Sequence, residues 1–224
     1  MPDFDLDIKM KIFSDNLILC AKDSWAGVIM LAGFVQTEFI KKGIFVRGAL
    51  HHGSLFWDNE IVSGKGLVEA YELEASAAIY PRIIASDKFI DRAIKSEPFR
   101  ARYPKTNDRK TALAKLGLRQ DRDYFEFIDY FRALKISMDY VFKHGVPDDI
   151  FEDEKERYGY KTKEEMVEKW TAEFKELMEA NKEFITENLH KYKGKTSIQN
   201  KYFWCKEYHN NFCESNGYKE FVIT

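Results

Sequence analysis

The sequence predicts an α/β fold of the α+β kind with an all-helical C-terminal extension, and two observations predict it. Over residues 1–86, apolar residues recur in alternation and at three- to four-residue steps by turns, as strands and helices require. Beyond Ser86 the strand signal fades, and long charged segments with aromatic residues at helical spacing take over. These patterns divide the chain into an α/β core over 1–86 and a helical extension packed on it over 87–224.

Ile8 to Ala21 is rich in Ile, Leu and Phe with Ser14-Asp15-Asn16 at its middle, which reads as a β-hairpin displaying Asp15 at the tip. Ser24 to Gly43 carries Trp25, Val28, Ile29, Ala32, Val35 and Phe39 at helical steps between a cap residue and a glycine stop. Ile44 to Leu50 and His51 to Trp57 read as strand, interrupted by Gly48 and Gly53. A second helix is expected from Gly66 to Ala78, then a strand through Tyr80-Pro81-Arg82-Ile83-Ile84. In the extension, Phe99 to Asp108 reads as a loop, and Tyr124, Phe127, Ile128, Phe131, Leu134 and Met138 as one helical stripe. Pro147 to Glu156 reads as an acidic connection, Met166 to Leu189 as a long helix ending near Gly194, and Lys201 to Asn210 as a last helix.

A chain of 224 residues that is 45% hydrophobic and 15% aromatic buries a substantial core, which excludes a disordered protein. The 35 basic and 37 acidic residues leave a net charge of −2, so nucleic acid is not expected as a partner without a local basic patch. The longest largely apolar run, Val28 to Val35, is far below the ~20 residues of a membrane span, so no membrane association is expected. Met1-Pro2-Asp3 does not open a signal peptide, and three cysteines without a framework suit a reducing compartment. The expected location is the cytoplasm.

Two motifs in order carry a likeness. Arg47-Gly48-Ala49-Leu50-His51-His52-Gly53 followed by Gly64-Lys65-Gly66-Leu67-Val68-Glu69-Ala70-Tyr71-Glu72-Leu73-Glu74 resembles the R-I-G-I-H-x-G strand turn and G-x-x-V-N-x-A-x-R-L-E helix start of class III nucleotidyl cyclases. The Lys11-Ile12-Phe13-Ser14-Asp15 hairpin resembles the family's K-T-x-G-D turn. With Tyr80-Pro81-Arg82-Ile83 and, more weakly, Lys201 to Asn210, the chain is most similar to bacterial cyclase-like proteins related to the pyrimidine cyclases of Pycsar antiphage defence.

The resemblance implies a ferredoxin-like, palm-type antiparallel sheet. It further implies formation of a 3′,5′-cyclic nucleotide, such as cCMP or cUMP, from a nucleoside triphosphate by two Mg²⁺ or Mn²⁺ ions, and a head-to-tail homodimer. Asp15 matches the second metal-binding, catalytic aspartate, and Lys11 the base-contacting lysine. The first metal aspartate belongs to a strand that has no counterpart in the seven residues ahead of Ile8. Family positions for base reading and transition-state support fall at Ile61, Val68 and Glu72, which lack that chemistry. The same likeness therefore leaves open a degenerate cyclase that binds a nucleotide or another protein without turnover.

Residue by residue, plainer readings stand beside these. Asp15 is a metal ligand or a turn aspartate satisfying backbone donors. Arg47 and Arg82 contact phosphate or form salt bridges, and Lys65 meets a phosphate near a helix N-terminus without completing a Walker pattern. Asp3, Asp5 and Asp7 share a strand face, though a solvated terminus explains them as well. Neighbouring strand residues face opposite ways, so one of His51 and His52 points inward and one outward. Cys205, His209 and Cys213 follow one helical face as core residues, the outer two being about 12 Å apart on a straight helix.

Overall fold

The computed structural model describes residues 8–22 and 24–224. It is an α+β protein that divides into two compact units, one running to Phe39 and from Phe45 to Tyr130, the other comprising Ile40–Ile44 and Phe131–Thr224. Asp3, Asp5 and Asp7 lie outside the described residues.

In the first unit, β1 (Ile8–Phe13) and β2 (Asn16–Ala21) pair antiparallel with Phe13 opposite Asn16, leaving Ser14 and Asp15 as a two-residue turn. Ser14 takes φ of 52°, the left-handed geometry that matches such a turn to the twist of its strands. The hairpin stands as its own two-stranded sheet, and so do β4 (Phe56–Trp57) and β5 (Val62–Ser63). The central sheet has the order β3 (Gly48–Leu50), β6 (Ile83–Ala85), β8 (Glu126–Ile128), β7 (Leu118–Gln120). Only β3 and β6 are parallel, because the chain between them crosses over through α2 (Lys65–Ala77). All three residues of β6 and of β8 are buried, as the centre of a covered sheet requires.

Helices close this sheet. In α1 (Trp25–Ile40), Gly33 approaches Ile128 so nearly that a Cβ would sit 3.5 Å from its side chain. In α3 (Asp87–Lys95), Phe89, Ile90 and Ala93 face inward, and the Ser86 hydroxyl caps it by accepting from Phe89 N–H at 3.2 Å. Ser96 joins α3 to α4 (Glu97–Arg102): its hydroxyl accepts from Trp25 Nε1 at 2.8 Å and donates to Ala93 O at 2.7 Å. Asp108 caps α5 (Arg109–Leu116) through Thr111 N–H, whose bond also holds the Asp108 carboxyl below the usual carboxylate range.

The second unit is helical: α6 (Tyr130–His144, whose first residue belongs to the other unit), α7 (Asp148–Tyr158), α8 (Lys163–Lys191) and α9 (Thr196–Asn216). The four-residue turn between α8 and α9 makes them antiparallel neighbours. Their core is a run of rings. Trp204 stacks on Tyr208 at 5.4 Å, Tyr208 on Phe131 at 5.4 Å, and Phe131 meets Phe212 at 5.2 Å. Buried Phe221 and Ile223 of the C-terminal segment complete it.

Four sequence readings are corrected. Phe127 and Ile128 lie on β8, not on a helical stripe with Phe131, because pairing with β6 and β7 overrides a helix-compatible spacing. That pairing also carries the first unit past Ser86, where the composition changes, as far as Tyr130. The acidic connection at Asp148 is the helix α7, with Asp148 and Asp149 at the N-terminal end where negative charge is favourable. Part of the expected loop at Phe99 is α4, which Pro98 is able to open because a first-turn residue needs no N–H.

Candidate functional site

The two motifs of the first unit meet through glycine. A Cβ on Gly53 would lie 2.7 Å from the Gly66 Cα, and one on Gly64 would lie 2.6 Å from Ser54 O. Gly64 also takes φ of 139°, which residues with side chains rarely adopt. Backbone thus packs on backbone at the start of α2, secured by Gly66 N–H donating to Ser54 O at 2.9 Å.

Around this junction three nitrogen groups converge on one carboxylate. His51 Nε2 lies 2.9 Å from Glu69 Oε2, Lys88 Nζ 2.9 Å from Glu69 Oε1, and Lys65 Nζ 3.9 Å from the same oxygen. The Lys88 ammonium, with His51 behind it, holds the Glu69 carboxyl below the usual carboxylate range. The His51 side chain is 7% exposed whereas His52 is exposed, so the pair does point opposite ways. Lys65 is 76% exposed and makes the longest of the three contacts, so it is the group most able to turn toward a ligand.

The hairpin is tied to the same neighbourhood. Lys11 Nζ donates to Asp58 O at 3.2 Å and lies 5.9 Å from the Trp57 ring centre. Asp58 accepts from Glu60 N–H at 2.8 Å and Ile61 N–H at 2.6 Å, and these bonds hold its carboxyl below the usual range. Asp15 is exposed at the turn and accepts from Asn16 Nδ2 at 3.1 Å. Among the described residues no group of three or more His, Cys, Asp or Glu is placed to hold a metal ion. Asp15 alone does not fit the two-ion centre that the resemblance implies.

No family model, curated protein or solved structure matches this chain.

The other sequence candidates are engaged by protein groups. Arg47 Nε pairs with Glu74 at 2.6 Å, and its Nη1 donates to Ala78 O at 3.4 Å. Arg82 is wholly buried and clamped by Asp121 and Asp123 across the β7–β8 turn, with the Tyr80 and Phe127 rings beside its guanidinium. That geometry makes Arg82 a fastener of the sheet. Glu69 and Lys88 were missed in the sequence. Glu69 sits one helical turn after Lys65, a spacing that could have flagged it, whereas nothing local announces Lys88.

The Cys205, His209, Cys213 face packs as core. Burial keeps His209 neutral by pushing its pKa down; its Nε2–H donates to Phe221 O at 2.8 Å, and its Nδ1 accepts from Asn181 Nδ2 at 3.0 Å. That tautomer is assigned from the carbonyl, which only accepts. Burial raises the Cys205 thiol and pushes Cys213 up to about 12, so both stay protonated.

Proposed function

We propose that the first unit is a nucleotidyl-cyclase-like module that binds a nucleoside triphosphate at the Gly53–Gly66 junction. The observation that carries this reading is the cluster on Glu69: two ammonium groups and an imidazole share one carboxylate beside the glycine junction that opens α2. One carboxylate does not neutralise that set, and a polyphosphate supplies the missing charge. Lys65 leaves its long contact with Glu69 for the phosphates, while Lys88 keeps Glu69 in place and Glu69 orients His51. Lys11, held near the Trp57 ring, stands ready for the base, as its match to the family's base-contacting lysine implies.

Turnover to a 3′,5′-cyclic nucleotide is a second reading, favoured by the Lys11–Asp58 bond that ties the Asp15 hairpin to the segment leading into α2. On that reading Mg²⁺ or Mn²⁺ would supply charge neutralisation at the triphosphate and a homodimer would complete the site, as the resemblance implies. A role in bacterial signalling or antiphage defence, in the cytoplasm, belongs to the same reading.

Calorimetric titration with each of the four ribonucleoside triphosphates tests the first reading. One of them is expected to bind, and Lys65→Ala to weaken it about tenfold, equal to about 1.4 kcal/mol. Binding that Lys65→Ala leaves intact refutes the site. Pyrophosphate release that disappears in Asp15→Ala is the outcome required for turnover; binding without release leaves a nucleotide-binding module.

A further inference from the structure

The turn between α8 and α9 carries charge of one sign. From Asn188 to Lys206 the chain contains no aspartate or glutamate, while Lys191, Lys193, Lys195, Lys201 and Lys206 all fall within it. Several lysines elsewhere are matched, as Lys135 is with Asp139, Lys163 with Asp148 and Lys182 with Glu179. Lys191, Lys193 and Lys195 are exposed and form no ion pair among the described residues. Helix-end electrostatics explains only part of this. Lys191 lies in the last turn of α8, where a cation is favourable, but Lys195 stands at the start of α9, where it is not.

Aromatic rings interleave with these charges. Lys191 Nζ is 5.4 Å and Lys195 Nζ 5.7 Å from the Tyr192 ring centre, and Tyr192 stacks on Tyr202 at 5.8 Å with the planes 8° apart. Phe203, next along α9, is 47% exposed. Gly43 reaches the same rings: a Cβ on it would be 2.8 Å from Phe184, which packs on Tyr202 at 6.1 Å.

We propose that this corner of the second unit docks single-stranded nucleic acid, with phosphates on Lys191, Lys193 and Lys195 and a base against Phe203. It is the local basic patch without which a chain of net charge −2 would have no hold on a phosphate backbone. Screening over about 10 Å at 0.1 M salt lets the patch act independently of the acidic remainder. Lysines alternating with rings suit a flexible strand, whose unstacked bases are free to meet an aromatic face, better than a duplex, whose bases are already stacked.

The test is fluorescence anisotropy of the full chain with labelled oligouridylate, a duplex RNA of the same length, and vesicles of phosphatidylserine and phosphatidylcholine. The single strand is expected to bind tightest, with log K falling against log salt at a slope of about −2 for three neutralised phosphates. Combining Lys191→Gln, Lys193→Gln and Lys195→Gln is expected to weaken binding at least about tenfold and flatten that slope. Phe203→Ala is expected to weaken it several-fold at an unchanged slope. All four positions are exposed, and circular dichroism verifies that the variants fold. Preference for duplex or vesicles, no binding at low salt, or a triple variant or Phe203→Ala protein that binds like the original overturns the proposal.

Discussion

Two wholly buried polar side chains, Arg82 in the first unit and His209 in the second, solve burial in opposite ways. Arg82 remains a cation and brings Asp121 and Asp123 with it, so the β7–β8 turn is pinned to the strand beside it by charge. His209 gives up its charge and uses both ring nitrogens in neutral hydrogen bonds, to Asn181 and Phe221, amid stacked rings. The contrast follows from what each unit has to bury. Strands of two or three residues offer little apolar area and need polar fasteners, whereas helices of 29 and 21 residues offer long apolar faces.

The sharpest way to break this contrast is Arg82→Ala. It leaves two carboxylates facing each other and opens a cavity, and is expected to cost about 3–5 kcal/mol. Hydrogen exchange should show the loss in β6–β8 and not in α8 and α9; a uniform loss would mean that the units do not differ in this way. Next comes Gly53→Ala, whose new methyl meets the rigid backbone of Gly66 and is expected to cost about 1–3 kcal/mol. Thermal unfolding measures that cost, and triphosphate binding should fall with it.

For the second unit the sensitive variable is acidity. The His209 pKa is lower folded than unfolded, so its stabilisation is complete above pH ~6.5 and is lost as pH falls below it, by at most about 1.4 kcal/mol per pH unit. Denaturation of the second unit between pH 7.5 and pH 5, both chosen to bracket ~6.5, should show this slope and His209→Gln should flatten it. An unchanged slope in the variant assigns the effect to another group. Tyr208→Phe is the mildest change. It removes the phenolic oxygen that accepts from Phe131 N–H at 3.2 Å while keeping the stacked ring, for an expected cost of about 1 kcal/mol by chemical denaturation.

What the sequence disclosed and what it hid divide by range. The hairpin around Asp15, α1, α2 and the long α8 were legible because each announces itself through turn residues or apolar spacing within its own segment. Strand β8 was not, since a three-residue strand between aromatic neighbours satisfies a helical count equally well and only its pairing to β6 decides. The site divides in the same way. Lys65 and the glycines were readable from the motif, but the convergence of His51 and Lys88 on Glu69 spans 18 and 19 residues of chain, and the partners of Arg82 lie 39 and 41 residues away. No local pattern encodes such meetings.

In the segment after α9, both backbone groups of Ile223 are held by one side-chain amide. Asn210 Oδ1 accepts from Ile223 N–H and its Nδ2 donates to Ile223 O, both at 2.8 Å, as a neighbouring strand would. Deuterium uptake at Ile223 should therefore be as slow as in a helix, and should rise only when the helical pair opens.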